Sequence, residues 1–154
     1  MKVKVCGLSK PDNVKFCIDN GVSYCGFILN YPKSHRFVSN KIATELMSIP
    51  KGDTKYVGVL VNPKMNELEK FSNLNLDYFQ IYGNYDQNIL QNIKLKFKKK
   101  IIVALQINSK KDVLDYKNFE QVADIILWDS SGLEQSLEWN YEWIKFVPNH
   151  IKKM

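Results

Sequence analysis

The chain has 154 residues, 45% of them hydrophobic and 12% aromatic, and it carries a formal net charge of +6. These values predict one folded domain over residues 1–154 and argue against a disordered chain. The three cysteines are an odd number and contain no Cys-x-x-Cys pair, which argues against a disulfide framework or a zinc site and favours a reducing, cytoplasmic compartment. No run approaches the roughly 18 apolar residues of a membrane span, so a membrane is not an expected partner. The lysine clusters carry no aromatic stacking pattern, so a nucleic acid is not expected either.

The first predicted strand, residues 1–7, ends in Cys6 and Gly7. Because side chains alternate along a strand, Lys4 and Cys6 share one face and stand about 6–7 Å apart along it. A parallel strand buried on both faces would be almost wholly apolar. This strand therefore lies either at a solvent edge or along the wall of a site.

Helices and strands alternate along the rest of the chain. The apolar spacing predicts that the second and third helices turn Ile42 and Met65, among others, towards the core. Further strands are predicted at 24–29, 55–61, 76–82, 100–105 and 124–128, and helices that begin near Pro11, Ser39, Asn62-Pro63, Asp86, Ser109 and Asn140.

The segment 30–39, after the second strand, brings three basic or titratable side chains together: Lys33, His35 and Arg36. Loops that follow strands often carry function. Composition alone leaves an exposed polar loop and a binding loop equally open.

Two later strands end in polar groups. In the fourth strand Phe79 and Ile81 share one face, whereas Gln80 and Tyr82 share the other. The sixth strand is followed at once by Asp129, which could serve as a helix cap or as a site carboxylate.

Six consecutive strand–helix units predict a parallel α/β sheet. One possible architecture is a (β/α)₈ TIM-type barrel, for which the chain is two units short. The alternative is an open doubly wound sheet. Both place the active face at the carboxyl ends of the strands, where Cys6, Arg36, Gln80, Tyr82 and Asp129 all fall.

These residue types indicate acid–base chemistry near a bound anion. Cys6 and Asp129 offer a base and an acid, and Arg36 offers a cation. No histidine is evidently placed to activate Cys6 for hydrolysis. The glycine-rich patterns of nucleotide-binding loops do not occur in the sequence.

Six segments and Pro11 carry a further signal when they are taken together. The segments are Lys4-Val5-Cys6-Gly7-Leu8, Tyr24-Cys25-Gly26-Phe27-Ile28, Tyr31-Pro32-Lys33-Ser34-His35-Arg36-Phe37-Val38-Ser39, Val57-Gly58-Val59-Leu60-Val61-Asn62, Asp77-Tyr78-Phe79-Gln80-Ile81-Tyr82-Gly83 and Ala123-Asp124-Ile125-Ile126-Leu127-Trp128-Asp129-Ser130. They resemble the phosphoribosylanthranilate isomerase family of tryptophan biosynthesis, collinearly from the N-terminus through the sixth strand.

The resemblance implies a barrel enzyme that runs an Amadori rearrangement of a small phosphorylated substrate without a cofactor or a metal. It gives Asp129 the role of general acid and Cys6 that of general base. Arg36 matches the residue that holds the anthranilate carboxylate. Lys4, Gly7, Gln80 and Tyr82 match positions that line the substrate pocket.

The sequence departs from the family pattern in three places. Tyr82 stands where the family usually has histidine, and the segment Ser131–Ser136 replaces a more glycine-rich loop. The seventh and eighth strands, whose loops bind the phosphate in the family, are not evident. We therefore expect that the domain stops before strand seven and that another segment or chain completes the barrel of a monomer or homodimer. The rival hypothesis is a non-catalytic module that binds an anion or a phosphosugar.

Overall fold

Six strands form one parallel sheet in the computed structural model, which describes residues 2–130 and 138–154. Each strand pairs with its neighbours in the sequence, in the order β1-β2-β3-β4-β5-β6. The strands are β1 (Lys4–Cys6), β2 (Tyr24–Ile28), β3 (Lys55–Val61), β4 (Tyr78–Tyr82), β5 (Lys100–Ile107) and β6 (Ile125–Ser130). A doubly wound sheet would reverse its strand order at a switch point. The doubly wound alternative is therefore wrong, and the barrel-type prediction is confirmed.

Five α-helices connect the strands in the described ranges: α1 (Pro11–Asp19), α2 (Asn40–Met47), α3 (Met65–Ser72), α4 (Gln87–Phe97) and α5 (Lys110–Val113). The predicted helix starts at Ser39 and Asp86 are confirmed, and both residues cap their helices. The side chain of Ser39 accepts a hydrogen bond from the Ile42 amide, and that of Asp86 accepts one from the Ile89 amide at 2.8 Å. These bonds satisfy backbone N–H groups that the first helical turn leaves without a partner.

The third helix begins later than the sequence predicts. Its cap is Lys64, whose amide donates to the Glu67 side chain at 2.8 Å, whereas Asn62 has a positive φ of 44° and lies outside the helix. Met65 consequently sits in the first turn and is 45% exposed. Ile42 is 41% exposed for the same reason: both residues lie at the start of a helix, beyond the reach of the sheet.

The two faces of the sheet bury different groups. Side chains such as Phe79 and Ile81 pack beneath the helices in the main core. On the opposite face, Ile28 of β2 and Leu127 of β6 belong to one cluster and line the same cavity. A flat sheet would hold these strands far apart, so the sheet curls and this face is the interior of a half barrel.

The C-terminal residues add a pairing that the sequence does not predict. The Ile126 amide donates to the Lys152 carbonyl at 2.9 Å, and the Met154 amide donates to the Ile126 carbonyl at 2.9 Å. This parallel pairing lies on the free side of β6, in the position of a seventh strand.

The predicted sixth α-helix is wrong. Residues Tyr141–Phe146 form a short 3₁₀ helix, in which Tyr141 and Phe146 are 71% and 65% exposed. A segment of this length that buries neither end has little tertiary packing to extend it into an α-helix. No helix in the described part of the chain is long and apolar enough to cross a membrane.

Candidate active site

A cavity of about 290 Å³ opens at the carboxyl ends of the strands, on the interior face of the half barrel. It brings together residues that the sequence places far apart. Among the predicted site residues, its lining includes Lys4, Cys6, Arg36, Gln80, Tyr82 and Asp129.

Gly26 of β2 makes room for the thiol and the amine. It pairs in register with Cys6, and a Cβ atom added to Gly26 would lie 3.0 Å from Cys6 Sγ and 3.3 Å from Lys4 Nζ. The thiol and the amine therefore approach the same point over the β2 backbone. The arrangement places a cation and a nucleophilic sulfur side by side at one wall of the cavity.

Gly7 and Arg36 lie against each other at the end of β1. Gly7 has a φ of +80°, and a Cβ atom there would come within 2.5 Å of Arg36 Cδ. The Arg36 guanidinium donates to the Cys6 carbonyl at 3.4 Å. Only glycine gives this backbone conformation at low cost while leaving space for the arginine. Gly7, which the resemblance places in the pocket lining, thus lies beside the cavity and leaves the space that the Arg36 side chain occupies.

Asp129 is held by two donors. The Tyr82 hydroxyl donates to Asp129 Oδ2 at 2.6 Å, and the Ser130 amide donates to Oδ1 at 2.9 Å. The Gln80 amide nitrogen donates to the Tyr82 hydroxyl at 3.0 Å. Gln80, Tyr82 and Asp129 therefore form a hydrogen-bonded chain from β4 to β6.

Burial raises the pKa of Tyr82 well above its usual range, and the charge of Asp129 raises it further. The phenol consequently keeps its proton throughout the neutral range. Gln80 is 1% exposed, and its Oε1 atom has no hydrogen-bond partner in the described ranges. A buried acceptor without a partner is costly, and Gln80 borders the cavity, so a ligand donor that reached this oxygen would relieve that cost.

Not every predicted residue reaches the cavity. Lys33 and His35 are exposed, and neither lines it, whereas Tyr31 and Ser34 of the same loop do. Sequence reasoning missed Gly26. The signal that could have identified it is a glycine inside an apolar strand, which often marks a close approach. The segment Ser131–Ser136 lies outside the described residues.

The fold and the site define a (β/α)-barrel-type protein with a thiol, a carboxyl group and cations around one cavity. Such a set can move protons on a small anionic molecule. Among the described residues, no group of histidine, cysteine, aspartate or glutamate side chains is arranged to hold a metal ion.

Comparison with known proteins gives the family. The family model for N-(5'-phosphoribosyl)anthranilate (PRA) isomerase matches residues 3–149. The N-(5'-phosphoribosyl)anthranilate isomerase of Streptococcus mutans is 33% identical over 141 residues, which cover 90% of this chain and 67% of that protein. The chain therefore belongs to the N-(5'-phosphoribosyl)anthranilate isomerase family.

Two solved structures share the fold of this chain. A phosphoribosyl anthranilate isomerase in complex with reduced 1-(o-carboxyphenylamino)-1-deoxyribulose 5-phosphate gives a TM-score of 0.76 at 25% identity and covers 84% of this chain and 65% of its own. A monomeric form of the dimeric isomerase from Thermotoga maritima gives a TM-score of 0.75 at 24% identity, with coverages of 87% and 66%. The chain thus spans about two thirds of the length of these relatives.

Proposed function

We propose that the protein containing this chain isomerises N-(5'-phosphoribosyl)anthranilate to its ribulose isomer in tryptophan biosynthesis. The observation that carries the proposal is the convergence of Cys6 and Asp129, from the first and last strands of the sheet, on one cavity. The family membership supplies the substrate class.

In this proposal the two residues divide the proton transfers. Asp129 gives a proton to the ring oxygen of the ribose, and the ring opens to a Schiff base. The Cys6 thiolate then takes the proton from C2, and the resulting enolamine tautomerises to the ketone. Each step needs a group at hydrogen-bonding distance from its atom, which a cavity of this size permits.

The remaining polar groups bind and orient the substrate. Arg36 is assigned to the anthranilate carboxylate, since a guanidinium pairs with a carboxylate through two parallel hydrogen bonds. Lys4 lies beside Cys6, where it complements a thiolate and a bound anion. Gln80 Oε1, the buried acceptor without a partner, is assigned to a hydroxyl or amine of the sugar portion.

We further propose that the domain described here is completed by strands that lie outside this sequence, either in a longer chain or in a second chain. Two features support this. Among the described residues β1 forms one edge of the sheet, and on the other side the backbone of Lys152 and Met154 hydrogen-bonds to β6 in the position of a further strand. Size-exclusion chromatography with intact mass measurement tests this proposal. A stable monomer with the mass of 154 residues that converts substrate would overturn it.

The test of the activity is turnover of phosphoribosylanthranilate, generated in place and followed by the loss of its fluorescence. Cys6→Ala and Asp129→Asn are each expected to lower kcat about a hundred- to ten-thousandfold, the usual contribution of a general acid or base, and to leave a measurable residual rate. Cys25→Ala and Asp115→Asn are the matched controls, because Cys25 is buried beneath the helices and Asp115 is exposed away from the cavity. Both controls are expected to retain most of the activity.

Tight binding of the substrate or of the reduced product analogue, without turnover by the folded chain, would instead favour a non-catalytic phosphosugar-binding module. We also propose a cytoplasmic location, which the odd number of cysteines supports. Fractionation of the source cells tests this location directly.

A further inference from the structure

We propose that Tyr82 is the positioning residue of the catalytic acid: its hydroxyl fixes the carboxyl group of Asp129 and donates no hydrogen bond to the substrate. The inference rests on the proposed function, since it assigns Tyr82 a part in the same proton transfer. It differs from the role that the sequence suggests, which is contact with the substrate.

The hydrogen-bond inventory of the hydroxyl carries the argument. A phenol has one proton to donate, and Tyr82 donates it to Asp129 Oδ2 at 2.6 Å. The hydroxyl oxygen accepts from Gln80 Nε2 at 3.0 Å. Because the only donor of the hydroxyl is committed to Asp129, the group has none left for a ligand.

The same bond fixes the orientation of its neighbours. Gln80 must present its amide nitrogen to Tyr82, so its oxygen is directed elsewhere and remains without a partner in the described part of the chain. At the other end, Ser130 N–H holds Oδ1 of Asp129 at 2.9 Å. One donor on each oxygen restrains the orientation of the carboxyl group. Each oxygen keeps a second lone pair, which can hold the proton that Asp129 gives to the substrate.

Burial makes the arrangement durable. Tyr82 is 8% exposed and Gln80 is 1% exposed, so little water competes for these bonds. Burial and the adjacent carboxylate also keep the phenol protonated, and it therefore remains a donor while Asp129 gains and loses its proton.

A double-mutant cycle in the isomerase assay tests the role, with Tyr82→Phe, Asp129→Asn and the combined variant. We expect Tyr82→Phe to lower kcat about ten- to a hundredfold, the range of a hydrogen bond to a charged group, and to change KM less than about threefold. In the Asp129→Asn background the same substitution is expected to change kcat less than about twofold, because its target is gone.

Tyr56→Phe is the matched control. Tyr56 is fully buried and donates to the Ile49 carbonyl at 2.9 Å on the helix side of the sheet, so this change also removes one buried hydrogen bond. It is expected to lower the melting temperature without changing kcat more than about twofold. A rise in KM for Tyr82→Phe that persists in the Asp129→Asn background would overturn the proposal in favour of substrate contact.

A measurement without turnover separates this proposal from the proposed function. In a chain labelled with ¹³C at the aspartate carboxyl carbons, the Asp129 signal is assigned by its loss in Asp129→Asn. We expect this signal to shift in Tyr82→Phe and not in Tyr56→Phe. An unchanged signal would overturn the positioning role whether or not the enzyme is active. A shifted signal in a chain without turnover would contradict only the isomerase activity.

Discussion

Replacing Gly7 with alanine should weaken ligand binding through Arg36. A Cβ atom at Gly7 would lie 2.5 Å from Arg36 Cδ and 3.0 Å from its Nε, so the arginine side chain has to leave its present position. The bond from its guanidinium to the Cys6 carbonyl is then lost. The guanidinium no longer stands where the proposed function requires a carboxylate to bind.

The magnitude has two separable parts. Alanine at a φ of +80° destabilises the fold by about 1–2 kcal/mol, the cost of the left-handed conformation. Loss of a charge-assisted hydrogen bond to the ligand costs about 1.5–3 kcal/mol. Because each 1.4 kcal/mol is a factor of about ten, the dissociation constant is expected to rise about ten- to a hundredfold.

Gly21→Ala provides the control. Gly21 has a φ of +70°, and an added Cβ atom would meet no atom within 4 Å. Alanine at this position therefore strains the backbone and displaces no side chain. Urea unfolding should give similar destabilisation for the two variants. Calorimetric binding of the reduced product analogue should weaken only for Gly7→Ala. Equal affinities for the two variants would refute the argument, as would a Gly7→Ala effect that persists in an Arg36→Ala background.

Three further outcomes follow from the same geometry. Gly26→Ala should lower kcat more than tenfold, because the added Cβ would lie 3.0 Å from Cys6 Sγ and displace it. Gly58→Ala is the control: its added Cβ would contact only leucine side chains, so it should lower stability and leave kcat unchanged. A thiol reagent at pH 8 should label Cys6 in the folded chain and leave Cys25 unlabelled, because Cys25 is fully buried and burial raises its pKa to about 12. The free energy of unfolding should fall as the pH rises from about 9 to 12. Burial raises the pKa of both Cys25 and Tyr56 to about 12, so the unfolded chain loses these two protons at a lower pH than the folded chain does. Urea unfolding at pH 8, 10 and 11 checks the last outcome, and Tyr56→Phe should flatten the decline.

The sequence predicts those features that depend on residues close together in the chain. The alternation in β4 correctly separated Phe79, which packs beneath the helices, from Gln80, which faces the interior. Asp86 could be identified as a cap because a side-chain acceptor before an apolar helix serves the backbone three residues away. Such relations span a few residues and leave a pattern in the sequence.

Relations between distant segments left no such pattern. The Tyr82–Asp129 hydrogen bond joins strands two apart in the sheet, and the approach of Arg36 to Gly7 depends on the path of a loop. Lys152 belongs to one of the lysine clusters of the sequence, yet its carbonyl accepts a hydrogen bond from the Ile126 amide of β6. Propensity and periodicity cannot encode these contacts, because the curl of the sheet and the packing of its interior determine them.

The positions of the proposed base and acid within the sheet have a mechanical consequence. Cys6 lies on β1, a strand of three residues that, among the described residues, pairs with a neighbour on one side only. Asp129 lies on β6, which pairs with β5 and also hydrogen-bonds to Lys152 and Met154. Edge strands open more readily than strands that are paired on both sides. Backbone pairing therefore restrains Asp129, the proposed acid, more firmly than Cys6, the proposed base. A strand that paired with the free edge of β1 would restrain Cys6 without contacting the substrate.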